Sequence, residues 1–349
     1  MNDINAKKEN FYAIKLKNNR IIWIDRGKIL MPDRKIINSM KRRSQEIYHP
    51  DKDVFVPVPP FPLNMLVEVT NACNHACIFC ANSKMTRKKR SIERKLLQSV
   101  LIQAYDLGTR EIGFYATGEP LLYKDLDWAV NEAKRIGYKY IYLTTNGAFA
   151  EVEKIKTLVA VGLDSIKFSI NGASRTCYKA VHGRDDFDKV LENLRQIKKY
   201  RDKEKVPLRI YSTFIITETN RHEVDVAKEV IGARCDELLF FSEGNQGGYM
   251  SQRNKPATIT LPCSLLFNRF HVTCEGYYTM CCVDFQNYLA VADLNKVLVK
   301  DAWGSNLAVA MRKKHLASEV SGTLCENCVE CKSNLVKPLL SHLATTCTF

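Results

Sequence analysis

The sequence predicts an α/β chain: an open, partial (β/α)6 barrel followed by a small cysteine-rich domain. Six short runs rich in Ile, Val, Phe, Tyr and Thr, at residues 65–70, 111–116, 138–145, 165–170, 208–216 and 237–241, alternate with amphipathic stretches. That is the pattern of parallel strands joined by crossover helices. Beyond Pro256 the alternation stops, and eight of the 13 cysteines follow. Six strands are two short of a closed eight-fold barrel, so the sheet is expected to stay open, with its chemistry at the carboxyl ends of the strands.

Taken in order, residues 1–62 form a basic N-terminal extension. A hairpin is expected across 12–16 and 20–24, followed by a proline-rich entry at Pro57, Pro59, Pro60 and Pro62. This extension suggests no function by itself. The barrel occupies 63–250. Its first helix is expected to begin at Ser91, with Glu93 and Arg94 in the first turns and Gly108 past its end. Further helices are expected at 126–136, 151–161, 187–200 and 223–232. Gly137 and Gly162 sit where a helix is closed by a left-handed residue. Residues 251–349 form the cysteine-rich domain.

Composition narrows the class. With 46% hydrophobic and 26% charged residues, the chain has the makeup of a globular protein rather than a disordered one. No apolar run approaches the roughly 18 residues of a membrane helix, and the first ten residues hold no apolar signal segment. A cytoplasmic protein is expected. Thirteen cysteines in 349 residues fall below the roughly 8–10% of a disulfide scaffold. Clustered in a reducing compartment, they point to metal binding or catalysis. A net charge of +14 predicts attraction to an anionic partner without naming it.

The chemistry centres on Cys73-Asn74-His75-Ala76-Cys77-Ile78-Phe79-Cys80, directly after the first strand. A [4Fe–4S] cube normally takes four cysteines, and three on one loop leave an iron open. Zinc held by three cysteines and His75 is the competitor, but His75 lies between two ligands on a tight loop, where its ring is not expected to reach the same metal.

This loop and the segments C-terminal to it strongly resemble the radical S-adenosylmethionine (SAM) superfamily, over about residues 63–245. The resemblance implies a partial TIM-like barrel in which Cys73, Cys77 and Cys80 bind the cluster while SAM chelates the fourth iron. It implies that Phe79 lies near the adenine. Thr117-Gly118-Glu119-Pro120 is similar to the family's Gly-Gly-Glu-Pro motif, which implies that Gly118 and Glu119 help bind the methionyl amine. Asn146, Ser169 and Asn171, at the ends of the third and fourth strands, stand where the family places polar contacts to SAM. Each piece alone also reads as an ordinary turn or cap.

The second half resembles the SPASM/twitch extension of such enzymes. Cys263, Cys281, Cys325 and Cys328 are separated by 18, 44 and 3 positions, which implies one fully ligated auxiliary [4Fe–4S] cluster, as in aminocyclitol dehydrogenases. Cys282 is an alternative to Cys281. A full SPASM domain with two auxiliary clusters expects a different C-terminal spacing from that of Cys325, Cys328, Cys331 and Cys347.

The activity implied is reductive cleavage of SAM and oxidation or epimerisation of a sugar- or cyclitol-like alcohol. An electron donor such as flavodoxin or ferredoxin is implied as a partner. Cys177, in the loop after the fourth strand, is a candidate hydrogen-atom donor or an inert half-buried thiol. His182 and Arg184 in that loop either contact substrate or SAM or are solvated. The basic run Lys84, Arg87, Lys88, Lys89 and Arg90 either binds an anionic substrate or is a solvated face. A peptide substrate is the alternative. Nucleic-acid binding is remote, since no recognisable RNA-binding module accompanies the charge.

Overall fold

The computed structural model describes residues 11–15, 21–25, 28–30, 55–250, 261–330 and 334–343, in two units, Met1–Pro50 and Asp51–Phe349. In the first, β1 (Phe11–Lys15), β2 (Ile21–Asp25) and β3 (Lys28–Leu30) form an antiparallel sheet. Ile14 pairs with Ile22. The expected hairpin is present, displaced by one residue, and a third strand extends it.

In the second unit, β4 (Asn64–Val67), β5 (Glu111–Phe114), β6 (Tyr140–Thr145), β7 (Ser165–Ser169), β8 (Arg209–Ile216) and β9 (Glu237–Ser242) pair in parallel in that order. The connecting helices are α1 (Arg94–Asp106), α2 (Leu126–Ile136), α3 (Val152–Ala160), α4 (Arg175–His182), α5 (Phe187–Glu204) and α6 (Val224–Val230). Helix α1 starts later than expected because Ser91 is bridged to Thr70 and Glu93 is extended. Helix α4 is a correction to the expected loop. Ser174 caps its start by accepting from the Cys177 N–H, and Gly183 ends it at φ +67°.

Alternate strand residues serve two ends. Met65, Val67, Ile112, Phe114, Ile166 and Phe168 are fully buried against the helices, each worth roughly 1.5–3 kcal/mol of transfer. The opposite face is polar: the Tyr142 hydroxyl donates to Asn64 Oδ1 (2.9 Å) and Asn64 Nδ2 to Glu111 (2.9 Å).

The cysteine-rich segment shares this sheet. After α7 (Leu265–Asn268), β10 (Arg269–Val272) pairs in parallel with β4, and β11 (Tyr277–Thr279) and β12 (Ala290–Asp293) continue antiparallel. The order is β12-β11-β10-β4-β5-β6-β7-β8-β9, and the sheet does not close. Helices α8 (Val299–Trp303), α9 (Asn306–Leu316) and α10 (Leu324–Glu330) follow. The buried Arg312 guanidinium donates to the carbonyls of Leu266, Trp303 and Pro57 and to the Tyr278 hydroxyl, 3.8 Å above Trp303. It joins the proline-rich entry to the C-terminal helices. Among the described residues no helix is long and apolar enough to cross a membrane.

Candidate functional site

The loop after β4 is held by its own stem. Asn71 exchanges hydrogen bonds with the Arg90 backbone and donates to the Lys88 carbonyl, while Asn82 Nδ2 donates to the carbonyls of Asn71 (3.0 Å) and Thr117 (2.7 Å). On the other side Ala76 N and Ile78 N donate to the carbonyls of His182 and Val181 at the end of α4. Cys73, Cys77 and Cys80 are half-buried in the span between. Burial pushes the Cys73 thiol up to about 11, with the negative charge of Glu119 and Cys80 adding to it. Cys77 is pushed well above its ordinary value by burial and by Cys80 and Cys73, and Cys80 is raised by burial. A bound cation would favour the thiolate at each of them. Converged soft donors fit an iron–sulfur cluster.

Around them the motif residues brace one loop against the next. A Cβ on Gly118 would lie 2.2 Å from the Thr70 carbonyl oxygen and 2.7 Å from that of Ala72, so only glycine permits this approach. Glu119 N donates to the Ala72 carbonyl (2.8 Å). The buried Glu119 carboxylate accepts from Leu121 N, Thr145 Oγ1 and Asn146 N; burial raises its pKa against these donors. Asn146 Nδ2 donates to Asn74 Oδ1 (2.8 Å) and lies 4.0 Å from Cys73 Sγ. Ser169 ends β7 opposite Thr213, half-buried. Asn171 is fully buried, with Oδ1 accepting from Ile215 N and Nδ2 beside His182. Phe79 packs in a small apolar group with Cys177 and Val181, against Cys77, Ile78 and Cys80.

Two placements differ from expectation. Cys177 and His182 lie on α4 and are buried; Cys177 Sγ donates to the Thr219 carbonyl (3.6 Å), and burial beside Glu223 pushes the thiol up to about 12. His182 faces the cluster loop, 3.4 Å from Cys77 Sγ and 3.3 Å from His75 Nδ1, while His75 Nε2 meets Asp186 (3.0 Å). The donor atoms of His75, Cys77 and His182 therefore do lie close enough to share a metal ion. Arg184 is exposed. The paired Ser174 and Gly183 cap signals were present in the sequence and would have placed this helix.

Arg87 of the basic run turns inward, while Lys84, Lys88, Lys89 and Arg90 are exposed. Arg87, nearly buried, lies between Glu68 and Glu275, Lys89 donates to Asn71 O and Asn82 Oδ1, and Lys84 to the Tyr249 carbonyl. Those three side chains fasten the cluster loop, although every residue of the run except Arg87 is exposed.

At the other end of the sheet, Cys325 and Cys328 stand one turn apart on α10. The Cys325 thiol is raised by burial, with Cys328, Cys263 and Asp284 adding to it. Cys281 also feels Cys325, and Cys263 feels Cys282. Cys281 is held well above its ordinary value by its neighbour Cys282 and by burial, and Cys282 is favoured as the thiolate by Cys281, His271 and Arg269. The Asp284 carboxylate is used by Thr279, Tyr288 and Leu289 as a loop brace. Cys331 and Cys347 lie outside the described residues. Sequence reasoning missed Arg269 and His271 on β10. Arg269 has no hydrogen bond or ion pair among the described residues, and neither ring nitrogen of the buried His271 has a hydrogen-bond partner. Both flank the Cys282 side of the site.

Comparison with known proteins matches a radical SAM superfamily domain over residues 67–230 and an iron–sulfur cluster-binding (SPASM) domain over 263–332. A probable GTP 3′,8-cyclase of Saccharolobus islandicus (strain Y.N.15.51 / Yellowstone #2) is 31% identical over 163 residues, 46% of this chain and 50% of that protein. The chain thus spans about half the length of the curated relatives it matches. Among solved structures, BtrN in complex with AdoMet and 2-DOIA superposes with a TM-score of 0.54 at 21% identity, covering 76% of this chain and 92% of BtrN. Streptococcus suis SuiB bound to precursor peptide SuiA gives 0.58 at 15%, covering 82% and 75%. These likenesses are of fold. The two domains imply a [4Fe–4S] cluster with SAM and auxiliary iron–sulfur binding.

Proposed function

The chain carries a radical SAM domain followed by an SPASM domain, and from that premise we propose that it is a radical SAM oxidoreductase acting on a polar, anionic or sugar-like alcohol. In this reading Cys73, Cys77 and Cys80 hold the SAM-binding cluster, and Cys263, Cys281, Cys325 and Cys328 hold one auxiliary cluster. When bound, the first with SAM supplies a 5′-deoxyadenosyl radical that removes a substrate hydrogen atom, and the second an acceptor for the electron left behind.

The chain's own residues bind and orient. Gly118 lets the 117–120 turn rest on the cluster loop, Glu119 ties that turn to the end of β6, and Asn146 sets its amide beside Asn74 and Cys73. Phe79 and Val181 exclude water behind the thiols. On β10, Arg269 and His271 offer donors without protein partners. The Arg269 guanidinium, beside the Tyr142 and Tyr115 rings, would orient an anionic or hydroxyl-rich substrate between the two cysteine sets. The observation that carries the proposal is that one open sheet bears both sets: β4, which leads into the three-cysteine loop, pairs in parallel with β10, which lies between Cys263 and Cys281 in the chain.

A peptide substrate is the second reading, favoured by the separate three-stranded sheet of β1–β3, whose edge suits strand addition.

Anaerobic reconstitution tests both. About eight irons and SAM cleavage support a single auxiliary cluster, about twelve a second, and about four remove the oxidoreductase reading. Deuterium transferred into 5′-deoxyadenosine from a labelled aminocyclitol, a peptide or GTP then identifies the substrate class. Transfer only from GTP would replace this proposal with cyclisation.

A further inference from the structure

Three buried polar groups beside the cluster loop, Asn171, His182 and His75, are not used by the mechanism above, and their hydrogen bonds have a fixed direction. Asn171 N lies 3.0 Å from His182 Nε2. A backbone N–H can only donate, so Nε2 is the bare nitrogen of that ring. His182 is fully buried, and with Nε2 accepting from that N–H the ring's proton sits on Nδ1. Nδ1 faces two acceptors, Cys77 Sγ at 3.4 Å and His75 Nδ1 at 3.3 Å. His75 is likewise assigned: its Nε2 meets the Asp186 carboxylate at 3.0 Å, so its proton is on Nε2 and its Nδ1 accepts. The His182 ring is held in plane by stacking on Tyr178, centroids 4.0 Å apart at 18°.

We propose that His182 is a positioning residue for the SAM-binding cluster. Its Nδ1–H, set by the Asn171 backbone, donates to Cys77 Sγ and raises the cluster's reduction potential, and His75 weakens that bond by competing for the same hydrogen. The inference rests on the reading of Cys77 as a cluster ligand. The physical reason is charge: one-electron reduction makes the cluster and its thiolates more negative, so a hydrogen bond to sulfur stabilises the reduced state more than the oxidised one. Asp186 acts at one remove by fixing which nitrogen of His75 accepts.

The geometry dictates variants of opposite sign. In His182→Gln the side-chain amide reaches the Nε2 position and keeps the Asn171 bond but loses the donor to Cys77. In His182→Asn the amide occupies the Nδ1 position and keeps that donor. His75→Phe removes the competing acceptor and leaves the whole hydrogen bond to Cys77. The measurement is a potentiometric titration of the reconstituted holoprotein by EPR, following the reduced-cluster signal that changes on adding SAM, alongside iron content and apoprotein melting.

The expected result is a tenfold loss in the equilibrium constant for reduction in His182→Gln, which is 59 mV more negative for one electron. His182→Asn restores most of it, and His75→Phe shifts the potential the other way. Unchanged potentials with full iron in all three variants overturn the proposal and leave Cys77 as a ligand. Loss of the cluster from both His182 variants overturns it too, by showing a purely structural role. A zinc ion bound by His75, Cys77 and His182 in place of the SAM-sensitive cluster likewise overturns it. A SAM-sensitive cluster retained in Cys77→Ala removes the underlying reading instead.

Discussion

Replacing Gly118 with alanine tests whether the motif works by close backbone approach. The added Cβ would stand 2.2 Å from the Thr70 carbonyl oxygen and 2.7 Å from that of Ala72, where ordinary contact begins near 3.4 Å. Both neighbours are backbone, so no side chain can swing aside, and the 117–120 turn must retreat by about 1.2 Å. That retreat stretches the 2.8 Å bond from Glu119 N to the Ala72 carbonyl beyond hydrogen-bonding range. A lost bond of roughly 0.5–1.5 kcal/mol and overpacking of roughly 1–3 kcal/mol give an expected loss of about 2–4 kcal/mol. Urea unfolding of the anaerobic apoprotein measures it, and iron content after reconstitution reports whether Cys73, one residue beyond Ala72, still meets its partners. An alanine variant within about 0.5 kcal/mol of the parent that also takes up full iron would refute the reasoning.

Three further expectations concern buried groups. Arg312→Met strips donors from the carbonyls of Pro57, Leu266 and Trp303 and is expected to cost roughly 2–3 kcal/mol by chemical denaturation; a neutral effect would mean that guanidinium burial offsets the bonds. Burial pushes the Glu68 carboxyl up, but the Arg87 guanidinium and the Thr117 hydroxyl hold it below its ordinary value. Its contribution is therefore complete above about pH 4.5 and is lost as pH falls through the folded-state value, so Glu68→Gln should flatten the acid limb of the stability curve below pH 4.5. An unaltered limb would exclude Glu68 as its source. Cys177 is packed with Phe79 and Val181 and hydrogen-bonded to Thr219. Cys177→Ala is expected to lose about 1 kcal/mol and leave SAM cleavage and product stereochemistry intact, whereas loss of solvent hydrogen in the product would make it the hydrogen donor.

How much of this was legible in the sequence depended on range. The six strands and the helix Leu126–Ile136 follow from local composition, and the structure returns them within a few residues. The three-cysteine loop was equally plain, because its ligands lie within eight positions. What escaped was either short or distant in sequence. Helix Arg175–His182 has eight residues, too few for periodicity to speak, so only its caps announced it. The pairing of Arg269–Val272 with Asn64–Val67 joins residues about two hundred positions apart, and no local pattern encodes a partner at that distance. The inward turn of Arg87 within the basic run escaped for a related reason: its counterions, Glu68 and Glu275, lie on the two sides of it in sequence, the second 188 positions away.

That last placement relocates the anionic partner implied by the net charge. Arg87 is neutralised by two carboxylates, and Lys84 and Lys89 are consumed by backbone and amide oxygens. Glu119, Asn146 and Asn171 are similarly spent on neighbouring loops. Residues engaged in holding one another rigid can present a cofactor, but they have few donors left for a substrate. Among the described residues, β10 carries buried donors without a hydrogen-bond partner, at Arg269 Nε and at the ring nitrogens of His271. A buried donor left without a hydrogen-bond partner is costly unless something anionic or hydroxyl-rich meets it. Specificity is therefore expected to respond to Arg269. In steady-state kinetics Arg269→Met should raise KM for an anionic substrate at least tenfold, a loss of about 1.4 kcal/mol in binding. An unchanged KM would return the anion to the surface.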